Sequence, residues 1–249
     1  MLPTRGRVEG ESVKQGIKAR SVGAWASVTL GLTYVLVGTG YLMQPELQKS
    51  GTIDEALGSL AIDPLGYKIL NWSLAVGGVA ALAAVPWICS RLTDDKSGWI
   101  AWARNLGLVG FAVAAVNGFR SLNLAMDEAE NYVHHLCDEA CKLAVRGDFV
   151  HMSLDPDGWM TFGAVGAFVL ITTIVAMKQR AIPALLAIVG LGGGVSYWLV
   201  VLGNVAGIDS VISIAAAVGG VILGPIFYIG MGLTLGHNSG RELTVSNAG

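Results

Sequence analysis

Four side chains able to bind a metal or exchange electrons fall within twelve positions of the chain: Glu130, His134, Cys137 and Cys141. Their spacing of three and four places them along one edge of a helix. Carboxylate, imidazole and thiolate together are ligands for zinc or copper, so a metal site is one interpretation. A redox pair is another, although Cys137 and Cys141 are separated by three residues instead of the two typical of such pairs.

Two further interpretations of the same cysteines do not need a metal. Cys137 and Cys141 would form a disulfide if their segment is exported to an oxidising compartment, and we favour this over the metal site. The i,i+4 spacing is awkward for a disulfide in a regular helix, which predicts a break between the two residues. They would otherwise remain two free, half-buried thiols.

The surrounding chain is too apolar for an ordinary soluble domain. Its 249 residues are 53% hydrophobic and 14% charged, whereas soluble proteins carry about 25% charged residues. Runs of about 20 apolar residues are long enough to cross a bilayer as helices. We find six such runs and predict an all-α, polytopic membrane protein with six transmembrane helices, at residues 21–43, 67–90, 99–124, 159–177, 183–206 and 211–236.

The distribution of Lys and Arg predicts the orientation of the spans. If the N-terminus is cytoplasmic and the spans alternate, eleven of the sixteen Lys and Arg lie on the cytoplasmic side. Because cytoplasmic loops are enriched in these residues, both termini are expected in the cytoplasm and the protein in the cell membrane.

The predicted organisation is one bundle with polar extensions. Residues 1–20 form a cytoplasmic basic arm, residues 21–236 the bundle, and residues 237–249 a cytoplasmic tail. The exported loops are residues 44–66 and 127–158. In the first, Thr52 followed by two acids predicts a short capped helix.

The second exported loop contains the possible metal ligands. Its amphipathic pattern predicts a single helix over residues 126–145 that lies across the bundle as a cap or flat in the membrane interface.

Polar residues near the exported ends of the spans form the second candidate site. Asn71, Asn117, Arg120 and Asn204 come from three spans, and topology gives them a similar depth. Together they predict a ligand or lipid-headgroup site beneath the cap, with Arg120 binding an anion. The alternative is that the amides join helices by hydrogen bonds and that Arg120 extends to the interface.

The last third of the chain resembles a known family. The segments "MKQRAIPALLAIVGLGGGVSYWLV" and "GGVILGPIFYIGMGLTLG" are similar to a family of bacterial six-helix membrane proteins of unknown function. The resemblance covers about residues 177–236. It implies six spans and no established activity.

These observations favour a non-enzymatic integral membrane protein. It would be an accessory or scaffolding subunit, or a binder of lipid or another small apolar molecule. A redox or metal-binding protein that uses His134, Cys137 and Cys141 is the alternative. A transporter is weaker, because ionisable residues are missing from the span centres. The expected partners are the bilayer and other membrane subunits, with no sign of nucleic-acid binding, and the cofactor is unknown.

Overall fold

The fold is taken from a computed structural model. It describes the backbone of residues 5–92, 98–134, 139–150 and 153–246, and side chains within residues 22–92, 98–133, 139–149 and 153–237. Within these ranges the protein is helical and contains no strand.

Ten α-helices and two π-helical segments form the described chain. They are α1 Arg5–Met43, α2 Glu46–Ser50, α3 Ile53–Ile62, α4 Leu65–Ser90, α5 Trp99–His134, α6 Glu139–Val150, π1 Trp159–Ala164, α7 Val165–Lys178, α8 Ala184–Ala206, α9 Asp209–Ala216, π2 Ala217–Leu223 and α10 Gly224–Ser246.

Six of these stretches are long and apolar enough to cross a membrane, which confirms the predicted all-α, six-span class. They are Val22–Met43, Leu65–Ser90, Trp99–Val133, Trp159–Lys178, Ala184–Ala206 and Asp209–His237. The fourth span combines π1 with α7, and the sixth combines α9, π2 and α10.

The predicted cap helix over residues 126–145 is described only in part, because residues 135–138 lie outside the described residues. Helix α5 continues without a break from the third span to His134, so residues 126–134 extend that span, and α6 covers Glu139–Val150. The physical reason is that residues 119–146 contain neither glycine nor proline, so nothing in the sequence ends the helix at the membrane surface. The chain therefore does not fold back directly after Arg120.

A small apolar cluster joins α3, the end of α5 and α6 outside the bundle. It consists of Leu57, Leu60, Ala125, Ala129 and Val145. We call the end of the bundle that carries α2, α3 and α6 the cap end. Helix α3 begins with the predicted Thr52 cap, because the Thr52 and Glu55 side chains each bond the other residue's backbone N–H.

An ion pair fastens α6 to α3. Two nitrogens of Arg146, Nε and Nη2, donate to the two carboxylate oxygens of Asp54 at 2.6 Å each. This two-point geometry is the strongest form of a guanidinium–carboxylate pair. The Arg146 guanidinium, together with the Tyr132 hydroxyl, holds the pKa of Asp54 below its ordinary value.

Close contacts of small residues hold α1 against its neighbours. A Cβ on Gly40 would lie 2.5 Å from the backbone nitrogen of Leu70 in α4, so only glycine permits this approach. Toward the other end of the bundle, the Ser27 hydroxyl donates to the Tyr228 carbonyl of α10 at 2.7 Å. Helix α1 therefore packs between α4 and α10.

Candidate ligand cavity

A cavity of about 380 Å³ lies inside the cap-end half of the bundle. Side chains from α1, α4, α5, π1, α9 and π2 line it. Seven of the lining residues are glycine or alanine: Gly38, Gly77, Gly78, Ala114, Ala216, Ala217 and Gly220. Their small side chains leave the space that larger residues would fill.

The cavity exists because α1 and the sixth span separate toward the cap end. Helix α1 packs along α10 and reaches π2, but within the described residues it has no substantial packing with α9. Tyr41 of α1 and Ser213 of α9 both line the cavity, and both are exposed. The cavity is therefore open at the side of the bundle, between α1 and α9.

Both π-helical segments contribute to the cavity wall. Thr161 and Phe162 of π1 line it, as do Gly220 and Val221 of π2. Segment π2 ends directly before Gly224 and Pro225, and proline cannot donate the backbone hydrogen bond that a regular α-helix requires. Such π-helical irregularities are frequent at functional sites.

An aspartate outside the span positions π1. One carboxylate oxygen of Asp155 accepts hydrogen bonds from the backbone N–H groups of Met160 at 2.9 Å and Thr161 at 2.7 Å. These donors would otherwise lack partners at the start of the helix. Asp155 thus orients the turn that carries Thr161 and Phe162 into the cavity wall.

Three tyrosines meet behind the cavity. Tyr34 lines it and stacks on Tyr228, with ring centroids 5.5 Å apart. The Tyr34 hydroxyl lies within interaction range of the hydroxyls of Tyr197 and Tyr228. Yet neither of these two buried hydroxyls has a hydrogen bond of good geometry within the part of the chain that the structure describes. Phe162 packs on the Tyr197 ring at 6.0 Å and links the cluster to π1.

The charges and hydroxyls of the lining define its polarity. It contains no Asp, Glu, Lys, Arg or His among the described residues. Its hydroxyl-bearing residues are Thr33, Tyr34, Tyr41, Ser73, Thr161 and Ser213. Thr33 and Ser73 donate to carbonyls of their own helices, whereas the buried Thr161 hydroxyl has no partner among the described residues.

The three asparagines predicted as ligand-binding do not surround this cavity. Asn71 is buried and donates to the Tyr67 carbonyl of its own helix at 3.0 Å. The Asn117 side-chain oxygen accepts from the Leu154 backbone N–H at 3.0 Å. The Asn204 amide donates to the Asp157 carbonyl at 3.1 Å. Asn117 and Asn204 thus fasten the segment before π1 to α5 and α8.

Arg120, the predicted anion-binding residue, lies on the exposed surface of α5. No hydrogen bond or ion pair joins it to another side chain within the described residues. The shared ligand site of Arg120 and the three asparagines therefore stays a prediction.

The possible metal ligands lie only partly within the described residues. Glu130 is exposed on α5, and the His134 side chain and Cys137 lie outside the described residues. Cys141 is disulfide-bonded, so its sulfur is not the thiolate that binds metals. Within the described side chains, no three metal-ligating groups cluster.

Sequence reasoning missed the tyrosine cluster and Thr161. Charged and amide groups stand out in an apolar span because they are costly in a membrane, whereas hydroxyls are common there and do not. The available signal was a tyrosine beside small residues in three separate spans, in "GLTYV", "GVSYW" and "IFYIG".

Comparisons with known proteins add no family. No protein-family model matches the chain, and no curated protein or solved structure shows significant similarity to it. The resemblance over residues 177–236 therefore stays a prediction.

Proposed function

We propose that this protein is a non-enzymatic membrane protein that binds one chain-like apolar molecule, such as a lipid tail, in the cavity between α1, α4 and π2. The observation that supports this proposal is the cavity itself. It is about 380 Å³ in volume, it is lined without charged side chains, and it is open toward the side of the bundle between α1 and α9. Ligand sites in proteins have volumes of about 300–1,000 Å³.

The lining of the cavity favours an apolar ligand chain over water molecules. Its apolar residues, including Leu30, Val37, Leu70 and Phe111, supply few groups that hold water molecules. Apolar cavities stay dry and accept apolar guests. A chain that enters from the bilayer restores the dispersion contacts that the lining otherwise lacks.

The opening also suits a ligand that arrives from the membrane. Leu42 and Ile214, on either side of the gap, are 77% and 65% exposed, and they would contact lipid tails. A molecule already dissolved in the bilayer can then enter without crossing water.

The proposal also includes the location of the protein in the cell and its orientation in the membrane. We place the protein in the cell membrane with both termini cytoplasmic, on the strength of the Lys and Arg distribution. A role as an accessory subunit is compatible with the proposed ligand binding, since such a subunit would deliver an apolar ligand to a partner subunit or hold the ligand for it.

A cavity-filling variant tests the proposal. A Cβ on Gly220 would meet no atom within 4 Å, so Gly220→Leu adds its side chain to the cavity without a clash at Cβ. Val218→Phe is the matched control, because it adds similar bulk to π2 at a position that is 37% exposed and outside the lining.

Native mass spectrometry of protein purified in mild detergent gives the readout. We expect one retained apolar molecule per wild-type and Val218→Phe protein, and at least a tenfold lower occupancy in Gly220→Leu. Equal occupancy in all three proteins, or none in the wild type, would contradict the proposed function.

A further inference from the structure

Selectivity in this cavity cannot rest on apolar contact alone. A ligand that leaves the bilayer exchanges one apolar environment for another, so the hydrophobic effect contributes little to its binding. The discriminating interactions must be those that the bilayer interior does not offer. In this cavity they are hydrogen bonds from hydroxyl groups.

The tyrosine cluster holds a hydroxyl that can donate to a ligand. The phenolic oxygen of Tyr34 can accept two hydrogen bonds, and the hydroxyls of Tyr197 and Tyr228 are the groups within reach. Two contacts can use at most two of the three phenolic protons, so at least one proton of the cluster is left without an acceptor inside it. Tyr34 is the member of the cluster that lines the cavity.

Thr161 adds a second unused donor to the same wall. Its hydroxyl is buried and unpartnered, and the residue lines the cavity. An unpaired buried hydroxyl is unfavourable. Both observations indicate that an acceptor is missing from the cavity.

The lack of charge in the lining and the depth of Tyr34 in the bundle limit which chemical group of a ligand can accept this hydrogen bond. The described lining carries no charged side chain that would neutralise an ionised group, and burying an unpaired charge is far costlier than burying a carbonyl. Tyr34 is nine residues from Met43 at the end of α1, which places it about 13 Å from that end. An ionic headgroup held at the membrane surface would not reach it.

We propose that the cavity selects a neutral, chain-bearing molecule with a carbonyl oxygen, and that the Tyr34 hydroxyl donates a hydrogen bond to this oxygen. The inference rests on the proposed function. It assigns Tyr34 as the residue that distinguishes such a ligand from the acyl chains of the surrounding lipid.

A competition between two probes tests the inference. Purified protein is incubated with an equimolar mixture of a long-chain methyl ketone and the alkane of equal length, and native mass spectrometry gives the ratio of the two bound forms. The variant is Tyr34→Phe, which keeps the ring that stacks on Tyr228. The control is Tyr67→Phe, which removes a tyrosine hydroxyl from α4 at a residue outside the lining.

We expect the wild type and Tyr67→Phe to prefer the ketone about fivefold, the effect of one neutral hydrogen bond of about 1 kcal/mol. The preference should fall to near one in Tyr34→Phe. A wild-type ratio near one overturns the inference even where Tyr34→Phe fails to fold, and so does an unchanged ratio in a folded Tyr34→Phe protein. If both probes bind without preference, only this inference fails. If neither probe binds, the proposed function fails with it.

Discussion

Tyr34 of α1 stacks on Tyr228 of α10, with ring centroids 5.5 Å apart and ring planes inclined by 17°. The pair links the first span to the last and closes the inner end of the cavity. Beyond it toward the cap end, α1 and α9 separate. Aromatic packing at one end and separation at the other together create the candidate binding site.

The Asp155 side chain should matter for the cavity although it lies outside the spans. Asp155→Ala removes the acceptor for the N–H groups of Met160 and Thr161. We expect a loss of about 1 kcal/mol in stability, typical of a lost helix cap, and weaker binding of apolar probes, because Phe162 is less well placed. Thermal unfolding and probe titration in detergent measure both.

Asp157→Ala is the control for this prediction. Asn204 bonds the backbone carbonyl of Asp157, not its carboxylate, so this variant should behave as the wild type. Equal losses in the two variants would show that the effect is not due to the cap on π1.

The pair Asp54–Arg146 should make the cap sensitive to acid. The lowered pKa of Asp54 means that its carboxylate stabilises the folded cap above the ordinary value of 3.8, and that this contribution is lost as the pH falls through the lowered value. Amide hydrogen exchange in α3 and α6, corrected for intrinsic rates, should stay slow from pH 7 to pH 5 and rise below about pH 4.

Asp54→Asn should exchange faster already at pH 7 in the same segments. Asp148→Asn, which removes an exposed carboxylate from α6, should leave the exchange unchanged. Slow exchange in Asp54→Asn would show that the ion pair does not hold α6 to α3.

The cysteines give a prediction by thiol counting. Cys141 is disulfide-bonded, and Cys89 is free and buried. Because the chain contains three cysteines, we predict that Cys137 is the disulfide partner of Cys141. Alkylation of the denatured protein should then label one cysteine without reductant and three with it. Near-stoichiometric zinc or copper that is lost in Cys141→Ser would instead support the metal site.

The orientation can be tested with single cysteines placed at opposite ends of the bundle. Ser50→Cys lies on the exposed surface of the cap end, and we expect an impermeant thiol reagent to label it in intact cells. Val245→Cys, near the end of α10, should be labelled only after permeabilisation. The reverse pattern would contradict the prediction from Lys and Arg.

The six spans could be predicted from the sequence, because each is a continuous apolar run that is long enough, as a helix, to cross the bilayer. It also predicted the Thr52 cap, which depends on residues three positions apart. The extent of α5 was not predicted, although the lack of glycine and proline after Gly118 indicates a continuing helix. Hydropathy marks only where a helix leaves the membrane, and a helix can continue past the membrane surface.

The cavity could not be predicted because it depends on how far two helices separate. Gly38, Gly77 and Gly220 look alike in the sequence, as small residues suited to close packing. In the structure, a Cβ on Gly38 or Gly77 would meet a neighbouring side chain, whereas one on Gly220 would enter open space. The sequence likewise does not show that the rings of Trp198 and Trp159 meet, with centroids 6.3 Å apart.

The central claim is that the space between α1, α4 and π2 holds an apolar chain. Crystals of the wild type and of Gly220→Leu soaked with a bromine-terminated long-chain alkane would test it most directly, because the anomalous signal of bromine locates the chain. We predict a bromine peak within the cavity bounded by Tyr34, Phe111 and Val221 in the wild type, and none there in Gly220→Leu. Bromine peaks confined to the outer surface of the bundle in both proteins would contradict the account.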